Sequence, residues 1–492
     1  MSLVLQVVVA LLGGAAALGL ALRWPRLGLV VAILAAAATA GLALSSGADD
    51  VLAIGRTGVQ ATATARVLAL GWSAGLILLG LLGLIDDAPA AGTLAGGSGL
   101  MALAGAIVAL TVDDVTVAFA ALAAGSAVAV AAPILGGWAI GRDDAPPIGP
   151  AERSLAAVVG AGLVAIAVAA WSQSPSGPLG DGGLGGVSDA SLRTAIGLAV
   201  VAMAAAMVLR AGAIPLHLWA ARLVGIASPL ALPAVLAWGA AAFTIVAVGW
   251  GGTALGRPPD DLDRTVIVVT ALASIVFGGL ASMLHDDLEH VLGYLLVQAA
   301  GVALLAMASL RPEATDAVAA WVIASAALAT ALAGWIAAMR WTFGRHRVEA
   351  LHGWGRRSPV LAFAFLVILV GSVGIPGTAL FEARSQLAAE ALPGPLATLA
   401  VVVALSPLLA LGRVLAAGLG RTGPDVAAAP DERVGRTLGS IASWSRGGAG
   451  GWLRVSAAVV RANQGLAVAV VAALLAVLGV VLSIAGVPAA AG

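Results

Sequence analysis

The sequence predicts an all-α polytopic membrane protein with about fourteen transmembrane helices. Of the 492 residues, 61% are hydrophobic and 10% are charged, and the mean hydropathy is +1.05. The chain also divides into apolar runs of about 20 residues, the length that crosses a bilayer as a helix. No soluble fold needs so many runs of this kind.

The predicted spans are the apolar runs between charged or Gly/Pro-rich breaks. They lie near residues 3–22, 27–45, 66–85, 93–112, 115–137, 153–171, 191–212, 228–250, 265–284, 288–309, 316–340, 358–390, 394–413 and 464–488. The seventh span runs into Pro215 and is expected to continue as a half-helix toward Ala227. The twelfth is too long for one straight span and contains Pro376, so it is predicted to be broken. The glycine-rich stretch 172–190 is predicted to be a surface loop.

Arginine placement predicts the orientation of the chain in the membrane. All 25 basic residues are arginines, and most lie in loops that follow odd-numbered spans. The positive-inside rule therefore places the odd loops in the cytoplasm and both termini outside, as expected for a multi-pass protein of the plasma membrane. The first apolar run lacks a basic n-region and a clear cleavage site, so it is interpreted as a retained helix. The segment 414–463 is either an interfacial amphipathic helix or a disordered loop.

Composition excludes several kinds of chemistry. The chain has no cysteine, so it can form neither a disulfide nor a thiolate-ligated metal or iron–sulfur site. Its formal net charge of zero gives no indication of nucleic-acid binding. No phosphate loop, dinucleotide fingerprint or nucleophile arrangement is found in the sequence. Any redox cofactor is therefore expected on partner subunits, and none on this chain.

Two helix breaks stand beside charged residues inside apolar segments. Arg210 precedes Pro215, which is followed by His217 and Trp219, and Pro376 precedes Glu382 and Arg384. A charge at the bilayer centre costs roughly 2.5–3.5 kcal/mol on insertion scales, so it normally faces protein or water and marks a pathway. Proline removes a backbone donor, which is tolerated beside a cavity or packed neighbours. Interrupted helices in corresponding halves of a hydrophobic chain indicate an ion route.

Other polar residues have competing interpretations. His217 is either a proton relay, since histidine titrates near neutrality, or a structural group that bonds the backbone freed by Pro215. Glu382 is either a buried titratable acid that pairs with Arg384 across a broken helix or a residue on the opposite face. Asp114, beside Asp113, is more simply a loop residue than an ion ligand. Five residues between spans nine and ten form either a metal site or, more simply, a solvated helix start: His285, Asp286, Asp287, Glu289 and His290.

Three stretches in order resemble one family, the proton-conducting antiporter-like subunits of respiratory NADH:quinone oxidoreductase and its Mrp-antiporter and membrane-hydrogenase relatives. The stretch from Arg210 to Pro229, with Pro-Leu-His-Leu-Trp, resembles that family's seventh-helix signature. The stretch 285–294 resembles its Lys-Arg-x-Leu-Ala-Tyr-Ser-Ser motif, and the stretch 352–384 resembles its twelfth-helix region. Together they cover roughly the fourth to the thirteenth spans.

The resemblance implies two inverted five-helix repeats with broken helices 7 and 12. On this interpretation helices 1–3 occupy 1–90, the repeats occupy 91–250 and 251–413, and helix 14 occupies 464–492. The family's seventh-helix lysine falls on Arg210 and its twelfth-helix lysine or glutamate on Arg384. Its fifth-helix glutamate falls near Ala123, and its eighth-helix lysine falls near Gly239 or Ala240. Two of the four charged positions are thus empty here, and two are arginine.

These replacements change the expected chemistry. A desolvated lysine can exchange a proton near neutral pH, whereas arginine keeps its proton in proteins. The resemblance therefore predicts a membrane-arm subunit of a complex I-like enzyme, nearest to subunit N or M, that either contributes to proton translocation or is a degenerate, structural member. Its expected partners are other membrane subunits, the lipid bilayer and protons, with NADH, flavin, iron–sulfur clusters and quinone on the partner subunits. A stand-alone cation/proton antiporter or solute carrier is the alternative.

Overall fold

The computed structural model describes residues 2–46, 51–54, 57–85, 89–139, 148–174, 189–255, 259–344, 347–420 and 451–485. In this part of the chain, thirteen helices are long and apolar enough to cross a membrane, and fourteen if one bent pair counts as a single span. The predicted all-α polytopic fold is therefore confirmed. The predicted loop at 172–190 and segment 414–463 lie mostly outside the described residues.

The first half of the chain begins with three helices and a hairpin that precede the first predicted repeat. Its elements are α1 (Ser2–Leu20), α2 (Pro25–Ser45), β1 (Val51–Ile54), β2 (Thr57–Gln60), α3 (Ala63–Ile85), α4 (Pro89–Thr111), α5 (Val115–Ala139), α6 (Ile148–Gln173), α7 (Asp189–Ala211), α8 (Leu218–Ile226), a π-helical turn (Pro233–Trp238) and α9 (Gly239–Leu255). Within the predicted repeat, α7 and α8 together occupy the position of the broken seventh helix.

The second half of the chain has only helical elements in its described residues. Its elements are α10 (Asp261–Leu284), α11 (Leu288–Ser309), α12 (Pro312–Phe343), a 3₁₀ turn (Val348–Leu351), α13 (Trp354–Arg357), α14 (Pro359–Val373), α15 (Ala379–Ala391), α16 (Gly394–Val403), α17 (Pro407–Leu419) and α18 (Gly451–Ala485). Several helices carry a proline in their first turn, where its missing N–H costs nothing. The broken twelfth helix corresponds to α14 and α15.

The β1–β2 hairpin was not predicted. It pairs antiparallel with Val51 opposite Gln60. Asp113, at the junction of α4 and α5, fixes it by accepting a hydrogen bond from the N–H of Gly58 at 2.9 Å and donating its own N–H to the Gly58 carbonyl at 3.1 Å. A strand of four residues held by a partner more than fifty positions away leaves little trace in local periodicity.

The core lies where α4, α9 and α12 meet, since these spans are the most enclosed by neighbouring protein. Trp238 at the end of the π-helical turn stacks on Trp72 with ring centroids 5.8 Å apart. Its indole N–H donates to the Thr330 hydroxyl of α12 at 2.8 Å. Gly83 and Gly92 lie so close that a Cβ added at Gly92 would stand 3.2 Å from the Cα of Gly83. Small residues at such contacts let helices approach closely in a membrane.

Candidate functional site

The first helix break separates α7 from α8 and has identifiable backbone causes. Gly212 takes a positive φ of 65°, and the Ile214–Pro215 peptide bond is cis. The groups released by the break find partners: the Ile214 N–H donates to the Ser274 hydroxyl at 3.1 Å, and the Trp219 indole N–H donates to the Leu209 carbonyl at 2.9 Å. The predicted break at Pro215 is confirmed, and it is stabilised by a neighbouring helix.

Arg210 lies one residue before the end of α7 and is 1% exposed. Its Nη1 donates to the Val235 carbonyl at 2.9 Å, and its Nη2 donates to the Ser126 hydroxyl of α5 at 3.0 Å. Among the described residues, no carboxylate oxygen comes within ion-pair distance of its guanidinium. The buried charge is therefore held by dipoles, which compensate its desolvation only in part.

The π-helical turn is shaped to receive Arg210. It supplies the Val235 carbonyl and ends at Gly239, whose N–H bonds the Ala234 carbonyl five residues back. A Cβ at Gly239 would collide with Nη2 of Arg210. Single π turns inside α-helices occur frequently at functional sites. The absence of a side chain at Gly239 is what allows the guanidinium to reach its carbonyl partner.

The second break separates α14 from α15 and contains Pro376. Gly374 and Gly377 take positive φ values of 66° and 89°, which side chains disfavour. Thr378 then caps α15, since its hydroxyl accepts the N–H of Phe381 at 3.3 Å. The predicted break at Pro376 is therefore confirmed.

Arg384 projects from α15 into the interior and is 1% exposed. Its Nη1 donates to the Val373 carbonyl at 3.1 Å and to the Ala404 carbonyl at 3.4 Å, and its guanidinium carbon lies 5.4 Å from the centroid of the Phe381 ring. These carbonyls stand at the ends of α14 and α16, where helix dipoles favour positive charge. No acid among the described residues pairs with Arg384.

The kink between α16 and α17 explains why the Ala404 carbonyl is free. Pro407 has no N–H to donate to the Val403 carbonyl, which instead accepts from Gln298 Nε2 at 3.2 Å. The N–H of Leu408 bonds the Leu405 carbonyl rather than that of Ala404. Sequence analysis missed this kink, although a proline inside an apolar span is the signal that could have found it.

Glu382 does not fit its predicted role as a buried acid. α15 is regular through Ala379–Ala391, so residues two positions apart point to different sides of it. Glu382 is exposed while Arg384 is buried, and the two do not pair. The interpretation of Glu382 as a buried partner of Arg384 was wrong.

The turn between α10 and α11 is not a simple solvated helix start. Glu289 is 2% exposed, and its Oε1 lies 2.5 Å from Nε of Arg340, an ion-pair contact between α11 and α12. His290 Nδ1 lies 3.3 Å from an Asp287 carboxylate oxygen. In the described parts of the chain, no group of three or more His, Asp or Glu is placed to hold a metal ion. The expectation of solvation was wrong for Glu289, because Arg340 pairs with it.

Asp114 has a local structural role. Its Oδ1 accepts the N–H groups of Thr116 at 2.8 Å and Val117 at 3.3 Å, so it caps the start of α5. Aspartate at this position satisfies backbone donors that have no partner within the helix. This contact supports the loop interpretation of Asp114.

His217 lies at the start of α8, directly after the first break. Its Nδ1 is buried and has no hydrogen-bond partner among the described residues. Its ring centroid lies 6.4 Å from that of Tyr294 on α11. The structural interpretation of His217 expected a hydrogen bond to a backbone group freed by Pro215. Nδ1 forms no such bond with the described residues.

Two small adjoining cavities lie between the two arginine sites. One, of about 60 Å³, is lined in part by Leu380 and Ala404, and the other, of about 30 Å³, is lined in part by Ala211 and Ala240. Trp321 and Ser325 line both. Each volume can hold a water molecule, since roughly 10–15 Å³ suffices for one. The walls are mainly apolar, in contrast to the two arginine sites.

Comparison with known families identifies the central part of the chain. Residues 188–409 match the family described as "NADH:quinone oxidoreductase/Mrp antiporter, TM". This confirms the resemblance indicated by the three motifs. The match includes both breaks and both buried arginines.

This chain matches less than half of the length of the curated relatives described here. "NADH-quinone oxidoreductase subunit N 1" of Streptomyces griseus subsp. griseus is 33% identical over 227 residues, 44% of this chain and 45% of that protein. "NADH-quinone oxidoreductase subunit N" of a Mycobacterium species is 31% identical over 229 residues, again 44% of this chain and 45% of the relative.

Solved structures share the fold along nearly the whole chain. A chain of an archaeal membrane-bound sulfane sulfur reductase has a TM-score of 0.70 at 14% identity, covering 98% of this chain and 76% of the other. A chain of the Mrp complex from Dietzia sp. has 0.63 at 19%, covering 98% and 96%. A chain of respiratory complex I from Thermus thermophilus has 0.61 at 18%, covering 97% of each. At these identities the likeness establishes the fold alone.

Proposed function

We propose that the chain is a membrane-arm subunit of a complex I-like NADH:quinone oxidoreductase. The proposal starts from the match of residues 188–409 to the NADH:quinone oxidoreductase/Mrp antiporter transmembrane family. The subunit's role is to contribute to proton translocation coupled to quinone reduction in partner subunits. The partner subunits hold NADH, flavin, iron–sulfur clusters and quinone, and the assembly lies in the plasma membrane. The division into five-helix repeats at 91–250 and 251–413 is part of this proposal.

The observation that carries the proposal is the pair of buried arginines, one at each helix break, without an acidic partner among the described residues. A guanidinium keeps its proton, so Arg210 and Arg384 act as fixed positive charges. At about 10 Å and an effective dielectric of about 20, such a charge raises the energy of a passing proton by roughly 1–2 kcal/mol. That is about a tenfold effect on its local population, enough to control which way a loaded site releases its proton.

In this mechanism the proton itself moves on other groups. His217 stands at the first break with a buried ring nitrogen that no described residue hydrogen-bonds, and histidine is the side chain that ordinarily exchanges protons near neutral pH. Arg210 repels a proton held on His217 and so favours its release when the break rearranges. Glu382 has no part in this route because its side chain is exposed.

A stand-alone antiporter is less favoured. The family's fifth-helix glutamate and eighth-helix lysine fall near Ala123 and at Gly239 or Ala240, which cannot exchange protons. A lone exchanger would need such positions more than a subunit within an arm does, where partner subunits can supply titratable groups. A purely structural member of the arm has the same composition, so experiment has to separate pumping from assembly.

The test compares Arg210→Ala with Arg210→Lys in the complete complex, in inverted membrane vesicles. Lysine keeps one positive charge and a donor, so we expect Arg210→Lys to retain more proton uptake per electron transferred than Arg210→Ala. Co-purification of partner subunits reports assembly separately. If both variants pump and assemble as the wild type does, Arg210 has no functional role. Ion exchange by the purified chain alone in liposomes would instead support the antiporter.

A further inference from the structure

A second group of titratable side chains connects the α10–α11 turn to the first helix break. It consists of His290, His285, Tyr294 and His217, named here the histidine–tyrosine array. Tyr294 is the single tyrosine of the chain, and the array holds three of its five histidines. Such a concentration of proton-exchanging rings in a chain that is 10% charged calls for an explanation.

The rings of the array follow one another in space. The centroids of His290 and His285 are 5.5 Å apart with nearly parallel planes, those of His285 and Tyr294 are 4.6 Å apart, and those of Tyr294 and His217 are 6.4 Å apart. Each ring is therefore a near neighbour of the next, although no direct hydrogen bond joins any two of them among the described contacts, so a proton that passes along the row needs bridging water molecules. The four rings form a row of neighbours from the turn to the break.

The two ends of the array differ in exposure and in charge. The His290 side chain is 28% exposed, and its Nδ1 lies 3.3 Å from an Asp287 carboxylate oxygen. At the other end, Nδ1 of His217 is buried and has no partner in the part of the chain that the structure describes, and the fixed charge of Arg210 stands seven residues earlier at the same break. An acid at the outer end and a permanent cation at the inner end suit collection and then release of a proton.

The tautomer of His285 fits a relay. Its Nδ1 lies 2.9 Å from the Ala281 carbonyl, an acceptor only, so Nδ1 carries hydrogen and Nε2 is left to accept a proton. In each step one proton passes from a protonated ring to a neutral one and the donor becomes neutral. Tyr294 gives its phenolic proton to one ring as it accepts another. No net charge is left behind after the proton has passed.

Other charged groups lie on the elements around the array, among them the buried carboxyl of Glu289 on α11. On α12, Arg340 is paired with Glu289, and on α17, Arg413 donates to the His285 carbonyl. Asp286 accepts the N–H of Glu349 at 3.2 Å, the backbone of Arg347 pairs with that of Asp287, and Arg222 of α8 is exposed.

We propose that the histidine–tyrosine array is the proton-uptake route that leads from the membrane face of the α10–α11 turn to the break at Pro215. This inference rests on the proposed function, since it identifies where the translocated proton enters. The family resemblance does not supply it, because the corresponding motif in the family carries Lys-Arg rather than histidines.

The test replaces the array members singly in the complete complex: His290→Gln, His285→Gln, Tyr294→Phe and His217→Gln. The measured quantity is the number of protons taken up per electron transferred in inverted vesicles. We expect each variant to lower it by the same fraction as Arg210→Ala does. The loss of proton uptake should be greater at about pH 8 than at about pH 6. At about pH 6 the solution holds more protons, and histidine is ordinarily charged. Combined with Arg210→Ala, none should cause a further loss.

His352→Gln is the matched control, because His352 is exposed and bonds only the Glu349 carbonyl at 2.7 Å among the described contacts. Imidazole added to the buffer should restore uptake in His290→Ala, which a structural role would not allow. If any histidine variant does not assemble, the route is judged from Tyr294→Phe, because this substitution removes a single oxygen atom and disturbs the packing least. Wild-type uptake in the array variants alongside loss in Arg210→Ala overturns the route alone, whereas wild-type uptake in all of them overturns the proposed function.

Discussion

The two buried arginines show how backbone carbonyls and a hydroxyl can hold a permanent charge inside a membrane protein, with no acid among the described residues paired to it. A guanidinium has five N–H donors in a fixed fork, and Arg210 uses two of its nitrogens on acceptors from different elements, the Val235 carbonyl and the Ser126 hydroxyl. Arg384 uses the carbonyls at the ends of two helices. A lysine ammonium could not reach both acceptors in the same geometry. The site therefore depends on arginine in particular, and on backbone groups released by helix irregularities.

The fit between Arg210 and Gly239 gives a prediction at this scale. Gly239→Ala places a methyl group where Nη2 of Arg210 lies, so we expect a loss of about 1–3 kcal/mol of stability, the usual cost of overpacking, with lower proton uptake. Gly249→Ala is the matched control, because it lies on the same helix α9 with nothing within 4 Å of its added Cβ. Thermal unfolding of the purified chain measures the difference.

A double variant separates this clash from a general effect on α9. If the methyl group of Gly239→Ala acts by displacing the guanidinium, then Arg210→Ala removes the group that it displaces. The stability loss of the double variant should therefore be smaller than the sum of the two single losses. Strict additivity of the two losses would contradict the assigned contact.

Only some residues of the site could be predicted from their residue type and position in the sequence. Arg210 and Arg384 could be predicted, because a charge in an apolar run is rare and expensive. Ser126 could not, since a serine in an alanine-rich helix is usual and its role depends on α7 lying beside α5. Of the two interpretations of Glu382, the buried one failed because the regularity of α15, and not the break nearby, decides where the side chain points.

At the scale of elements, the breaks follow from a few residues whose backbone preferences are strong. Pro215 and Pro376 could be interpreted directly, because proline lacks the N–H that a continuous helix needs. The π-helical turn before α9 and the kink before Pro407 were not predicted, although each begins or ends at a proline. Their geometry depends on partners elsewhere, such as Arg210 and Gln298, that take up the released carbonyls.

Gly377 allows the strain of the second break to be tested apart from packing. Its φ is 89°, and an added Cβ would have nothing within 4 Å. We expect Gly377→Ala to lower stability by roughly 1–2 kcal/mol, since the left-handed region is costly for side chains, and to disturb the position of Arg384. Thermal unfolding and proton uptake in vesicles measure the two effects.

Gly412→Ala is the control for that experiment. Gly412 also has open space around its Cβ, but it lies within helix α17 with an ordinary backbone. Alanine there is expected to be neutral or stabilising by up to about 1 kcal/mol. Equal losses from both substitutions would show that the conformation of Gly377 is not what the break requires.

At the scale of the whole molecule, the odd number of spans in each predicted repeat sets the arrangement of the two breaks. A unit of five spans ends on the opposite side of the membrane from where it begins, so the next unit starts from that side. On this prediction, equivalent helices in the two repeats run in opposite directions, and we expect the breaks at Pro215 and Pro376 to open toward opposite faces. One proton route that uses both can thus connect the two sides of the membrane.

The orientation of this whole arrangement is predicted from arginine placement alone and can be tested in the natural sequence background. Because the chain has no cysteine, a single introduced thiol is the sole target for a membrane-impermeant maleimide. Ser176 belongs to the predicted loop after the sixth span, and Ser445 belongs to the segment 414–463 that follows the thirteenth span. The positive-inside rule predicts that Ser176→Cys is labelled in intact cells and that Ser445→Cys is labelled only after the membrane is opened. The reverse pattern would invert the topology, and the array at the α10–α11 turn would then take up protons from the outer face instead of the cytoplasm.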